Sequence, residues 1–369
     1  MSYSIAVIGA GWYGCHIAAS LRSLGFAIRV FEKAARPLHA ASGNNQFRLH
    51  QGFHYPRHYG TRLQSRDGFL RFIERYPDLS KEVAENIYAV PRRDSLVDYL
   101  TYRLVMTASG IEFGDLHAPS IDLCEIEGCL AVSERVVMLE RARTYFRRKL
   151  GSALHLDTKA ESVVETDRGV YVNGERFDFV VDATWGHHDR LPVDVIYEPT
   201  LLLYIEGDPA FPALTLVDGP LCSIYPTEEP GIYTLSSVPH TPLGQFPSAQ
   251  AAAAFQRQIN GDMISAKADA MVLQVRQYLP TFPERFRFIG PQISMKTKPI
   301  GMADDRSCYV FRTGRTFQVL SGKIDAIFFA VERILSLLER LEDSDLTAVP
   351  SSIRADTEFH MRTLSVSGS

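Results

Sequence analysis

The chain lacks a broad excess of charge of either sign: 39 Lys and Arg stand against 43 Asp and Glu, a formal net charge of −4. A polyanion such as nucleic acid would therefore need a local basic patch, and no such patch with interleaved aromatics occurs. Long hydrophobic runs are also missing. None approaches the roughly eighteen consecutive apolar residues of a membrane span, and the longest stretch near the end is interrupted by Lys323 and Asp325. The N-terminus passes from Met1 directly into a strand pattern, with neither a charged leader region nor a small-residue cleavage site, which implies a cytoplasmic protein. Cysteine is scarce. Five scattered residues, an odd number, fit reduced thiols better than a disulfide framework. The one close pair, Cys124 and Cys129, reads as structural. No internal repeat and no second glycine fingerprint are present.

What remains is an ordinary globular composition, 46% hydrophobic and 22% charged, in a chain long enough for two interleaved lobes. Residues 4–8 (SIAVI) read as a buried strand, GAGWYG as a tight turn, CHIAASLRSLG as an amphipathic helix ended by Gly25, and AIRVFE at 27–32 as a second strand. Helical spacing follows at 64–77, with Arg66, Arg71 and Arg75 on a solvated face, at 94–109, and at 133–150. Residues 154–184 read as strands joined by turns, with Asn173-Gly174 a hairpin signal. The near-continuous apolar run 177–186 reads as a third parallel strand of the first sheet. From 196 to 240 short alternating strands suggest a mostly antiparallel second lobe. A helix at 248–278, broken near Asn260-Gly261, and a last helix from Gly322 to about Glu342 complete the pattern. The final 27 residues, 343–369, are expected to be a frayed tail.

Gly9, Gly11 and Gly14 form G-x-G-x-x-G between strand and helix, and Glu32 ends the next strand 23 positions after Gly9. The first glycine permits the tight turn, the second lets the backbone approach a pyrophosphate, and the third lets helix and strand pack closely. The helix N-terminus then offers free amides and a positive dipole end to phosphates. Glu32 can accept from ribose hydroxyls and would repel a phosphate there, against NADP. The motif alone does not separate FAD from NAD. Its place at the extreme N-terminus, with the rest of the sheet delayed by over a hundred residues, favours FAD.

Four segments, IAVIGAGWYG with FEK, ASGNN at 41–45, DFVVDATWG at 178–186, and SGKIDAIFFAVERI at 321–334, together resemble the D-amino-acid oxidase superfamily, which includes glycine oxidase, sarcosine oxidase and L-2-hydroxyglutarate dehydrogenase. The resemblance implies an α/β fold: a Rossmann-like FAD-binding domain (1–75, 133–192 and 300–342) interleaved with a substrate-binding lobe on a mostly antiparallel sheet (76–132 and 193–299). It implies FAD contacts at Gly9, Gly11, Gly14, Glu32 and Lys33; at Ser42, Gly43, Asn44 and Asn45; at Ala183, Thr184 and Gly186; and at Gly322, Lys323 and Ile324. The last three begin a helix pointing at the pyrimidine edge of the flavin, where a helix N-terminus and an ammonium stabilise the negative charge left by hydride transfer. Sarcosine-oxidase-like members tether the flavin through a cysteine. The matching segment here, SMKTKP at 294–299, has none, so non-covalent FAD is expected.

The polar loop RLHQGFHYPR, 48–57, would then lie beside the flavin. His50 or His54 is the candidate base, with Arg57 or Arg48 as carboxylate anchor and Tyr55 beside them. Arg306 can clamp a carboxylate or pair internally with Asp304 or Asp305. His50, His54 and His58 share a four-residue spacing, but Gly52 and Pro56 argue against one helix presenting all three to a metal, and none is expected. His187 and His188 read as a surface turn, and Tyr204, Tyr225 and Tyr233 as core more than pocket. The expected chemistry is removal of a hydride from a carbon bearing an amine or hydroxyl, in an amino acid, amine or 2-hydroxy acid, with dioxygen or a quinone or carrier protein as final acceptor. A monooxygenase or sugar mutase sharing the FAD unit, an NAD-binding dehydrogenase, and a non-catalytic dinucleotide binder are the alternatives.

Overall fold

The computed structural model describes residues 3–301 and 305–342, with side chains through residue 339. The expected tail at 343–369 and Asp304 lie outside the described residues. Strand β1 (Ser4–Ile8), helix α1 (Trp12–Ser23) and strand β2 (Ala27–Phe31) form the βαβ unit. β1 is central to a six-stranded sheet and pairs in parallel with β2 (Ile5 opposite Ile28) and with Phe179–Asp182 (Ile5 opposite Phe179). Thr316–Leu320 extends the sheet in parallel, and Tyr309–Thr313 closes that edge antiparallel. Both faces of β1 are covered, which is why it is continuously apolar. Ile5 and Val7 join α1 and the last helix in one core, while Ala6 and Ile8 pack with Val170, Val172 and Phe177 of the small antiparallel sheet 163–177. In that sheet Asn173 and Gly174 make the turn, both at positive φ (51° and 83°), as a two-residue hairpin of this hand requires.

A second, eight-stranded sheet takes strands from 86–131 and from 195–299. It is antiparallel except where Ala213–Leu216 runs parallel to Asn86–Pro91. Its first strand in the 196–240 region is not short: Val195–Gly207 spans 13 residues and pairs along its length with Phe286–Pro299.

Several expected boundaries move because side-chain caps and tertiary pairing outweigh periodicity. The helix expected at 133–150 begins at Leu139; Arg135–Val137 is a strand, drawn into a three-stranded sheet between Arg48–Leu49 and Ser80–Glu82. Asp98 caps Tyr99–Ala108 by accepting from Thr101 N at 2.9 Å, so that helix starts later than 94. Helix α2 (Tyr59–Arg75) starts earlier than 64, capped by the His58 ring, which accepts from Thr61 N at 3.1 Å. The region 248–278 is two helices, Ala249–Gln256 and Gly261–Arg276, capped by Ser248 and Asn260. The last helix is Ile327–Glu342, preceded by a 3-10 turn at Ile324–Ala326, because Lys323 is extended (φ −116°, ψ 128°). That turn is pressed onto α2: a Cβ on Gly68 would lie 1.8 Å from the Asp325 carbonyl oxygen.

Candidate active site

The glycine turn has no room for side chains. A Cβ on Gly14 would lie 1.8 Å from the Gly9 carbonyl oxygen, one on Gly11 would lie 2.9 Å from Ser42 Oγ, and Gly9 has φ +92°. Gly11 caps α1 with no side chain, leaving the helix N-terminus open to a ligand, while Ser42 Oγ accepts from Trp12 N at 3.1 Å. Glu32 is held at the end of β2 by Ala10 N (2.7 Å) and Ala34 N (2.9 Å). Gly43 is needed for closeness, since a Cβ there would meet the Leu38 carbonyl oxygen at 2.3 Å. Ala183 and Thr184 lie against Gly9, and Gly322 lies under the Trp185 ring, so these four segments converge beyond the C-terminal ends of the parallel strands of the first sheet. The cradle fits the dinucleotide that the fingerprint implies.

Not every candidate contact is placed alike. Asn44 Nδ2 donates to the His39 and Ala40 carbonyls and Asn45 Nδ2 to those of Ala41 and Ser42, so both amides brace their own turn. Gly186 accepts from the Tyr197 hydroxyl at 2.6 Å. Lys33 is exposed, and Ile324 packs against the core that holds α1.

The second half of the site is the loop after Arg48–Leu49. The rings of His50, His54 and Tyr55 stand 5.3–5.9 Å apart, centroid to centroid. Lys323 is buried. Its side chain is 4% exposed, its ammonium sits 4.0 Å from the centre of the Tyr55 ring and 3.8 Å from Asp325 Oδ1. Beneath the loop Glu134 accepts from Gln51 N (2.8 Å) and the Tyr88 hydroxyl (2.6 Å), 3.6 Å from His50 Nδ1 and 4.0 Å from the Arg48 guanidinium. Arg48 also donates to the Tyr88 hydroxyl (3.0 Å) and lies 4.1 Å from the centre of the Tyr225 ring. Tyr225, read from sequence as core, is thus the floor of this cluster; Tyr233 is core, and the Tyr204 hydroxyl accepts from Gln292.

Burial pushes the His50 imidazole well below its usual value, helped by the charges of Lys323, Arg48 and Lys296. His54 is lowered in the same direction by burial and then by His50, Arg48 and Lys323. Both rings are neutral at physiological pH. Lys296 is pushed down to about 8, by burial first and then by Lys298.

Two candidate anchors lie elsewhere. Arg57 pairs with Asp218. Arg306 donates to the Asp305 backbone carbonyl, and its own amide to Thr61 Oγ1. His58 is the helix cap described above, and His187 and His188 sit on an exposed turn. Among the described residues no three His, Cys, Asp or Glu side chains are grouped to hold a metal, and no helix is long and apolar enough to cross a membrane. Sequence reading missed Glu134, Tyr88 and Asp325. Glu134 stands in SERVV, a segment read as helix, and only its pairing as a strand aims it at residue 50.

A family model described as FAD dependent oxidoreductase matches residues 4–292. The chain is 60% identical to the FAD-dependent monooxygenase FPY4 of Fusarium mangiferae over 337 residues, 91% of each chain. It is 27% identical to the FAD-dependent monooxygenase kojA of Aspergillus flavus, covering 90% of this chain and 85% of that one. Among solved structures, glycine oxidase from Geobacillus kaustophilus superposes with a TM-score of 0.69 at 14% identity (92% and 95% of the two chains). NikD, an unusual amino acid oxidase essential for nikkomycin biosynthesis, does so with 0.69 at 17% (95% and 96%). The glycine cradle, the interleaved sheets and the match over most of the length agree: the chain is an enzyme of the D-amino-acid-oxidase-type family of FAD-dependent oxidoreductases.

Proposed function

We propose that this enzyme oxidises a carbon bearing an amine or a hydroxyl in a small molecule, with the loop 48–57 and Lys323 forming the substrate side of the site. The observation that carries the reading is a ring cluster of His50, His54 and Tyr55, both imidazoles lowered by burial, with the buried Lys323 ammonium over the Tyr55 ring. Gly9, Gly11, Gly14, Glu32, Ser42, Gly43, Ala183, Thr184, Gly322 and Lys323 are the residues that would hold FAD non-covalently. When bound, FAD supplies the hydride acceptor.

The chain's own groups do the rest. His50 Nδ1 faces the Glu134 carboxylate at 3.6 Å, which favours the tautomer with the proton on Nδ1 and leaves Nε2 to accept a proton from substrate. With FAD bound, the Lys323 ammonium would stabilise the negative charge left on the flavin. Burial of the Glu134, Tyr88 and Arg48 cluster keeps water from beneath the loop, so these charges act in a medium of low dielectric.

A second reading, insertion of an oxygen atom, is favoured by the names of the two relatives. The two are separated by loading the protein with FAD and mixing it anaerobically with panels of alcohols, amines, and amino and hydroxy acids. Bleaching of the oxidised-flavin bands without oxygen supports dehydrogenation of substrate. No bleaching without oxygen, with label from ¹⁸O₂ in the product once oxygen and a reduced nicotinamide as two-electron donor are admitted, overturns it in favour of oxygenation. Denaturing the same sample tests the cofactor linkage: flavin that stays with the precipitate would refute non-covalent binding.

A further inference from the structure

The charges around the histidines constrain what can bind there. The charges of Lys323, Arg48 and Lys296 act on His50, and those of Arg48 and Lys323 on His54. Arg48 is covered, its side chain 1% exposed, with Glu134 at 4.0 Å and the Tyr225 ring against it. Lys323 (4% exposed) stands beside Asp325 (0% exposed), and burial of both disfavours any net charge on the pair. Lys296 lies opposite Glu198 across the paired strands, and the same carboxylate holds Lys298. Among these described groups four cations thus stand against three carboxylates. The one in excess is the charge that arrival of a hydride at the flavin requires.

A guanidinium that clamps a carboxylate must turn its fork of N–H groups toward open space. Arg48 does not, and Arg57 is occupied by Asp218. An ammonium fares no better. Glu134 is engaged by Gln51, Tyr88 and Arg48, and Asp325 by Lys323, so no uncommitted carboxylate is among these groups, while three cations would repel it. What the site does present is the edge of His50, whose side chain is 20% exposed, and the half-buried rings of His54 and Tyr55. A neutral ring nitrogen can accept from an uncharged hydroxyl, which adds no charge to a set already one cation in excess.

We propose that this site takes an uncharged hydroxylated molecule as its substrate, in preference to a carboxylic acid or an ammonium. The inference rests on the reading above that the loop 48–57 is the substrate face. In its oxidation the C–O single bond becomes C=O: hydrogen leaves carbon with two electrons as hydride for FAD, and the hydroxyl proton passes to the imidazole.

The test is one of binding, so that its outcome stays distinct from that of turnover. FAD-loaded protein is titrated with benzyl alcohol, benzoate and benzylamine, matched in ring and differing in charge, and the flavin absorbance shift is read. Benzoate and benzylamine are expected to bind at least tenfold more weakly than benzyl alcohol. Glu134→Gln uncovers the charge of Arg48, and Asp325→Asn that of Lys323. In either variant the ratio of benzoate affinity to benzyl alcohol affinity, and benzoate affinity itself, are expected to rise at least tenfold. Benzoate binding to the unaltered enzyme as tightly as the alcohol overturns the proposal, and so does a folded, flavin-loaded variant that gains no affinity for benzoate. If no probe shifts the unaltered protein, the benzoate gain in whichever variant folds decides; if neither variant folds, the ranking on the unaltered enzyme decides. Absence of alcohol turnover with this ranking intact would overturn the assigned reaction and leave the charge argument standing.

Discussion

Replacing Lys323 by Met removes an ammonium held 3.8 Å from a fully buried carboxylate. Deleting one partner of a buried pair costs about 3–5 kcal/mol when the survivor stays charged. Asp325 has an escape, because it can take a proton. Burial already raises its carboxyl above the ordinary range, and the Lys323 charge is the main influence holding it down. Without the lysine it rises further. A carboxyl whose folded pKa lies above its unfolded value, about 3.9, keeps a proton that the unfolded chain gives up. Its contribution to stability is therefore fully present below the unfolded value and is lost as pH rises toward the folded one, at up to about 1.4 kcal/mol per pH unit. The deficit of Lys323→Met against the unaltered protein should be smallest near about pH 4 and grow as the pH rises from there toward neutrality, to at most about 3–5 kcal/mol. Equilibrium urea unfolding of both proteins with saturating FAD, at three pH values across that window, measures it. A deficit independent of pH would refute the coupling of Lys323 to Asp325.

His50→Asn should slow anaerobic flavin reduction by about 10²–10⁴-fold with flavin content unchanged. Because burial depresses the His50 imidazole, its base form persists below about pH 6.5, and the reduction rate of the unaltered enzyme should fall only at more acidic pH; a stopped-flow pH profile with an acid limb near 6.5 or above would contradict this. Gly14→Ala places a methyl 1.8 Å from the Gly9 carbonyl oxygen, so the purified variant should carry little FAD; retention of full flavin content would show that the turn can yield. Gly68→Ala forces α2 away from the Asp325 carbonyl oxygen, also 1.8 Å from the new methyl, and should cost about 1–3 kcal/mol in chemical denaturation despite alanine's better helix propensity.

The cofactor half of this protein is legible in its sequence because each of its signals is local. Three glycines in six positions, an acid at the end of the next strand, and a small-residue turn after a continuous apolar strand each impose their geometry through backbone sterics within a few residues. Asn173-Gly174 belongs to the same class, since its positive φ values are a property of the dipeptide. The covalent chain likewise shows that no cysteine stands in 294–299. The substrate half is different. His50, Arg48 and Tyr55 were picked out by residue type, but which of them is reachable, which is neutral and which is already paired depends on Glu134, Tyr88, Tyr225 and Asp325, 40 or more positions away from Arg48 along the chain. No local pattern marks those residues: Glu134 looked like a helical surface acid until strand pairing of Arg135–Val137 with Arg48–Leu49 turned it inward. Burial and charge pairing are set by what arrives from elsewhere in the chain, so the tertiary structure alone decided that Lys323 is buried, that Arg57 is engaged by Asp218, and that the two histidines are held neutral.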